Sequence, residues 1–313
     1  MNNPLISIVI CTYNRSKYLA QTLKSVLAQH YSPVEILIID DGSTDNTEQI
    51  VRSFGSELTY HRKENGGIAS ARTAGGKLAG GKYIAYQDDD DLMPPDRITF
   101  LYDALQLFPS AVFATGDFVI ADEKGNLTEK RWLPENTSGP KTPIIFEDGY
   151  EAVMWPRVPA SPHTTLFKRA DGEKIGWFDG RFAISEDKDF FARLGQLGPL
   201  VYVPKVVSYY RRGHHSLTEN DILTSYRKLQ FFDVHINYVK DKNPKMCDRL
   251  QLRILMELKK VARLLSVAKA APDSIPEGYS EKFLKNLKLI YRIKYWNYMF
   301  IRLSLRRLVH KLP

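Results

Sequence analysis

Apolar residues through the first third of the chain fall in short blocks whose period switches back and forth. Leu5 to Thr12 (LISIVICT) is a nearly continuous run rich in β-branched residues, the pattern of a strand buried on both faces. From Ser16 to His30 the apolar positions Leu19, Leu23, Val26 and Leu27 recur at helical spacing. Val34 to Ile39 is a second buried strand, and Asp45 to Phe54 a helix opened by the Asp45-x-x-Glu48 capping pattern. Leu58 to Arg62, Gly67 to Leu78 and Lys82 to Gln87 continue the alternation as strand, helix and strand. This βαβαβαβ order predicts an α/β fold built on a mostly parallel, doubly wound sheet.

The second half alternates less regularly. Ala111 to Ala121 and Leu200 to Tyr210 read as strands, Asp187 to Leu197 as a helix, and the Pro/Gly/Thr-rich stretch Leu133 to Pro143 as a loop. From Asp221 onward the pattern is helical, with a break near Ala271 to Gly278. The expected organisation is therefore a catalytic domain over 1–220 and a helical region over 221–313.

Charge changes the picture only when it is located. The net charge is +8, yet the segment from Lys282 to Pro313 holds nine Lys or Arg and no acidic residue, which leaves the rest near neutral. A nucleic-acid-binding main domain is therefore not expected. The tail's basic and apolar residues divide along a helical face. They suit either an anionic membrane surface or packing on protein, its own domain or a second subunit in a homo-oligomer. No stretch is long and apolar enough to span a bilayer. The apolar run after Met1-Asn2-Asn3-Pro4 is too short for a secretory signal, so the expected location is cytoplasmic, or peripheral on the inner membrane face. Cys11 and Cys247 suggest neither a disulfide nor a zinc site.

In an open parallel sheet, ligands bind beyond the carboxyl ends of the strands. Three polar clusters stand there: Thr12-Tyr13-Asn14, Asp40-Asp41-Gly42-Ser43 and Asp88-Asp89-Asp90-Asp91. Two carboxylates 4 Å apart repel by about 4 kcal/mol at an effective dielectric near 20, so four on one strand end call for a cation or for water. A hard divalent cation, Mn²⁺ or Mg²⁺, is the favoured reading. Asp40 to Ser43 also has the composition of an ordinary turn. Glu186-Asp187 can serve either as helix-start acids or as a general base. His214 and His215 can complete a metal shell or contact a diphosphate, and Arg211 or Arg212 can bind phosphate. Surface-loop residues doing neither is an equally natural reading. The segment Pro159 to His163 is expected to line an acceptor site or to be a plain loop.

Together these residues resemble glycosyltransferase family 2. The resemblance runs from Ile6 to Asp45, through Asn65-Gly66-Gly67 and Ala71-Arg72, into Gly81-Lys82-Tyr83-Ile84 and the aspartates. It resumes at Gly176-Trp177-Phe178-Asp179 and Ser185-Glu186-Asp187, covering about residues 5 to 215. It implies a GT-A, Rossmann-like fold and an inverting, metal-dependent transfer from a nucleotide-diphosphate sugar. The expected donor is a UDP-sugar and the transferred group a hexose or N-acetylhexosamine. The acceptor is expected to be a hydroxyl of a saccharide or lipid-linked saccharide, as in surface polysaccharide or glycoconjugate synthesis.

By the same resemblance, Thr12, Tyr13, Asn14, Asp40 and Asp41 belong to the donor site, with Asp41 facing a uracil N–H and Arg72 near base or phosphate. Asp89 lies near the ribose. Asp88 and Asp90 correspond to the metal-binding Asp-x-Asp, and Asp90 is the foremost direct ligand, with His214 as a further one. Asp187 corresponds to the base and Glu186 to an acceptor-side contact. Thr73 departs from the family's usual Asn, and the extra aspartate blurs the metal-binding register. The alternatives are a nucleotidyltransferase, for which Cys11 to Arg15 lacks the Gly-rich loop, and a nucleotide-sugar-binding protein without transfer activity.

Overall fold

The computed structural model describes residues 3–131, 142–155, 157–182, 184–212, 222–241 and 243–267. The chain divides into two compact units, 1–215 and 216–313. In the first unit β1 (Ile6–Thr12), α1 (Ser16–Leu27), β2 (Val34–Asp40), α2 (Thr47–Arg52), β3 (Thr59–Arg62), α3 (Ile68–Leu78) and β4 (Tyr83–Asp88) follow the alternation expected from the apolar periods. Every residue of β1 is buried, as an unbroken β-branched run requires, whereas the polar β3 is only partly covered at the sheet's edge.

There follow α4 (Arg97–Leu107), β5 (Phe113–Ala121), β6 (Leu127–Arg131), β7 (Ile144–Phe146), α5 (Gly149–Met154), β8 (Thr165–Lys168), α6 (Arg169–Lys174), α7 (Glu186–Gly195) and β9 (Leu200–Arg211). The strands form one sheet in the order β3-β2-β1-β4-β8-β5-β9-β7, with β6 on β5. Pairing is parallel from β3 through β4 and between β5 and β9. It is antiparallel where β8 lies between β4 and β5, and for β6 and β7. The α/β class stands. The inserted antiparallel strand was not foreseen, because Thr165–Lys168 is too short to show a period. The chain crosses from β3 back past β1 to β4, so strand order reverses at β1, and the crevice there opens at the carboxyl ends of β1, β2 and β4.

Two local readings change. The helix expected over Asp45 to Phe54 is shorter, and Asp45 forms no capping box: its carboxylate accepts from Thr47 N–H at 3.1 Å, Thr47 Oγ1 at 2.6 Å and, across the loops, Ser16 N–H at 3.0 Å. Helix α4 was not foreseen, because a charged residue, Arg97, opens the buried face that it shares with Leu101 and Leu105. Most of the Leu133 to Pro143 stretch lies outside the described residues.

The second unit contributes α8 (Ile222–Val239) and α9 (Pro244–Val267), in line with the helical pattern there. Among the described residues no helix is long and apolar enough to cross a membrane. The Ala271 to Gly278 break and the basic tail lie outside them.

Helix α3 packs flush on the sheet because Gly75 and Gly76 present no side chain. A Cβ at Gly75 would collide with Val9 and come within 3.0 Å of Ile39 Cγ1, while one at Gly76 would meet the Trp177 ring. Gly75→Ala is therefore expected to cost about 1–3 kcal/mol of stability by overpacking. It should appear as a lower urea midpoint at unchanged slope. An unchanged midpoint would mean that α3 can lift from the sheet freely.

Candidate active site

The loops after β1 and β2 are bonded to each other before any ligand is considered. Asp41 N–H donates to Thr12 C=O at 2.9 Å, Asn14 N–H to Ser43 Oγ at 3.0 Å, and Thr44 N–H to Asn14 Oδ1 at 2.8 Å. Asn14 adopts a left-handed backbone (φ 53°), which asparagine tolerates better than most residues. On this braced loop Thr12 is buried, while the Tyr13 ring stands 48% exposed.

Asp40 and Asp41 are neighbours with different surroundings. Asp40 has no accessible surface, and its two oxygens accept from Ser43 N–H at 2.7 Å and Tyr60 O–H at 2.5 Å. That geometry has Asp40 bracing the turn, a role that its composition had left open. Asp41 accepts from Lys63 Nζ at 2.6 Å and from the amides of Gly66 and Gly67 at the start of α3, the latter at 2.7 Å.

Of the four aspartates after β4, Asp88, Asp90 and Asp91 turn to separate partners, while Asp89 is buried. Asp88 pairs with Arg72 at 2.9 Å and Asp90 with Arg15 at 2.8 Å. Asp91 is fully buried, accepting Arg211 N–H at 2.8 Å on one oxygen and meeting His163 Nδ1 at 2.5 Å with the other. Burial, and then the neighbouring charge of Asp90, push the Asp89 carboxyl up to about 8. Burial raises Asp91 to about 6 against the opposing pull of His163. Arg97, fully buried close by, donates to Gln87 Oε1 at 2.7 Å and to the carbonyls of Tyr86 and Pro162, both at 2.9 Å, and lends its charge to Asp88 and Asp91.

Donor atoms of Asp88, Asp91 and His163 all lie within 4.8 Å of one another. Carboxylate oxygens with an imidazole are a donor set that Mn²⁺ accepts, and carboxylates alone suit Mg²⁺. Asp91 and His163 are bonded to each other in the interior, whereas the side chains of Asp88 and Asp90 are 30% and 17% exposed and so more accessible to an added cation. The residues present thus fit a divalent ion. His214 and His215 lie outside the described residues.

Across the crevice α7 begins at Ser185, itself in a left-handed conformation (φ 71°), as is Trp177 (φ 62°). Arg193 fastens this segment by donating to Ile175 C=O and Trp177 C=O, each at 2.7 Å, and to Asp189. Glu186 turns inward and is buried, meeting Arg72 at 2.7 Å. Burial first, then the Asp187 charge, raises its carboxyl to about 7 against the pull of Arg72. Asp187 remains partly exposed and accepts its neighbour Lys188 N–H at 2.7 Å. Arg72, foreseen near base or phosphate, is found bridging Asp88 and Glu186 beside the Phe178 ring.

The structure also relocates residues flanking the site. Pro162 and His163 are buried beneath the acidic turn. Arg211 is buried too, donating to Glu123 C=O at 3.0 Å and Gln21 Oε1 at 2.9 Å, so it is committed to the frame. Arg212 is exposed over the Tyr210 ring. Arg15, Lys63, Arg97 and the Asp91–His163 pair escaped sequence reasoning. Only Arg97 carried a local signal, a charge in helical phase with Leu101 and Leu105.

Comparison with known proteins agrees with this architecture. The family described as Glycosyl transferase family 2 matches residues 7–176. An uncharacterized glycosyltransferase of Rickettsia typhi is 30% identical over 227 residues, covering 71% of this chain and 68% of that protein. The crystal structure of S. aureus TarS 1–349 in complex with UDP-GlcNAc has a TM-score of 0.56 at 17% identity, over 83% of this chain and 81% of that one. The mannosyltransferase PcManGT from Pyrobaculum calidifontis, in complex with GDP-Man and Mn²⁺, has a TM-score of 0.55 at 17% identity, over 95% and 82%. At such identities the structural likeness speaks to the fold, which is GT-A.

The raised carboxyls set a pH dependence. Asp89, Asp91 and Glu186 hold protons more tightly in the native state than at their ordinary values of 3.8, 3.8 and 4.5. Their contribution to stability is full below those ordinary values and is lost as pH rises through the folded values. In chelator, thermal stability is therefore expected to fall between about pH 4 and pH 8. Asp89→Asn should flatten the upper part of that decline. A melting temperature that rises steadily across the interval would contradict the assignment.

Proposed function

This chain belongs to glycosyltransferase family 2, and from that premise we propose that it transfers a sugar, with inversion, from a UDP-sugar to an acceptor hydroxyl, assisted by a divalent cation. The observation that carries this reading is the joining of the acidic turn after β4 to the Glu186-Asp187 helix start by one guanidinium, Arg72. Acids suited to a metal diphosphate and an acid suited to proton removal thus belong to one crevice. The UDP-GlcNAc in one structural neighbour and the GDP-Man with Mn²⁺ in another support a nucleotide-sugar donor and a cation.

In this reading Thr12, Tyr13 and Asn14 form the base-binding loop, the exposed Tyr13 ring offering a stacking surface. The Asp41 carboxylate, oriented by Lys63 and the Gly66 and Gly67 amides, accepts the uracil N3–H. Asp89 lies by the ribose. Asp88 and Asp90 hold the cation, with His214 as a further ligand. When bound, the cation supplies Lewis-acid neutralisation of the leaving diphosphate.

Asp187 takes the proton from the acceptor hydroxyl as that oxygen attacks the anomeric carbon from the face opposite the diphosphate. Its partial exposure suits an entering acceptor, while Glu186 is committed to Arg72. A saccharide or lipid-linked saccharide is the acceptor class, in surface polysaccharide or glycoconjugate synthesis. The basic segment past residue 282 suits an anionic membrane surface.

Mass analysis of products from a nucleotide-sugar screen with Mn²⁺ identifies donor and acceptor. Asp90→Asn, or a chelator, is expected to reduce turnover by orders of magnitude with the fold retained. Full activity without metal would remove the cation from the mechanism.

Asp187→Asn is expected to slow turnover by ~10²–10⁴-fold while UDP affinity barely changes. Near-normal turnover there, with an inactive Glu186→Gln, would move the base to Glu186. Calorimetry should show UDP binding more tightly than GDP, and equal affinities would refute the Asp41 assignment.

A further inference from the structure

Arg72 spends one charge on two carboxylates that belong to opposite sides of the crevice. Its Nη1 donates to Glu186 Oε1 at 2.7 Å and its Nη2 to Asp88 Oδ1 at 2.9 Å. The guanidinium is 7% exposed, lies 5.5 Å from the Phe178 ring centroid, and belongs to a helical turn whose Arg72 carbonyl accepts Tyr86 O–H at 2.8 Å. The fork is therefore held in place, and neither acid can change its charge or partners without altering what Arg72 offers the other. In a buried setting such shared interactions are strong and non-additive.

We propose that Arg72 is a positioning residue that couples Glu186 on the acceptor side to diphosphate binding at Asp88 on the donor side. The inference rests on the nucleotide-diphosphate reading above and goes beyond it by assigning Glu186 an effect on a ligand that it does not itself hold. Glu186 draws part of the guanidinium away from the donor site. Neutralising Glu186 releases that share to an incoming diphosphate, so the donor binds more tightly. A lysine at position 72 keeps the charge but lacks the planar fork that reaches both acids.

The test is a double-mutant cycle on UDP affinity, measured by calorimetry with MnCl₂ in wild type, Glu186→Gln, Arg72→Gln and the double variant, each checked by thermal melting. Glu186→Gln is expected to tighten UDP binding by roughly fivefold or more when Arg72 is present, and by less than about twofold in Arg72→Gln. Arg72→Lys, which retains the buried charge, takes the place of Arg72→Gln if the latter fails to fold, with the same result expected. An equal shift in both backgrounds, or no shift beside Arg72, overturns the proposal. Should wild type bind neither UDP nor GDP, the donor class fails instead, and the cycle is read with inorganic pyrophosphate in the absence of metal. Glu186→Gln should then tighten pyrophosphate binding only where Arg72 is present, because the freed guanidinium is offered to the anion. Equal pyrophosphate affinity in wild type and Glu186→Gln overturns the coupling.

Discussion

Four consecutive carboxylates at the end of a buried strand repel one another by several kcal/mol, and the surrounding fold answers by pairing Asp88, Asp90 and Asp91 while the buried Asp89 carboxyl is pushed up to about 8. Arg72 comes from α3, Arg15 from the loop before α1, His163 from the turn before β8 and the Arg211 amide from the end of β9. Arg97 adds a buried charge from α4. Elements from nearly the whole first unit thus converge on residues 88–91. A conflict concentrated in four residues organises the packing of much of the first unit.

The loops after β1 and β2 solve a different problem, that of holding a segment still. The β1 and β2 loops bond to each other through Asn14, Ser43, Thr44 and Asp45, and Asp40 is consumed within the turn. The Tyr13 ring is left standing on a braced platform. A ligand that stacks there meets a surface whose conformational entropy has already been spent, which favours affinity without new contacts.

At α7 the adjacent acids Glu186 and Asp187 separate by burial. Consecutive helical residues point about 100° apart, so when Glu186 turns onto Arg72 its neighbour Asp187 is left partly exposed. The left-handed Ser185 and Trp177, tied down through Arg193, aim this helix start. Non-glycine residues adopt that backbone only where the surroundings hold them.

The sequence alone determined the first four strands and their helices, the acidic run at a strand's carboxyl end, and the Glu186-Asp187 helix start. Each is a local signal: a period, a turn residue or a charge block read within about a dozen positions. The tertiary structure decided which acid meets which partner. Asp40 and Asp41 look alike in sequence, yet one is closed inside a turn and the other held by α3. His163 reaches Asp91 across 72 positions, and Arg72 reaches Glu186 across 114. The placement of β8 between β4 and β5 was likewise out of reach, because four residues carry no period and their place is set by the strands they join. Contacts of that span arise only when the chain closes on itself, and nothing in the local order of residues encodes which loop will meet which.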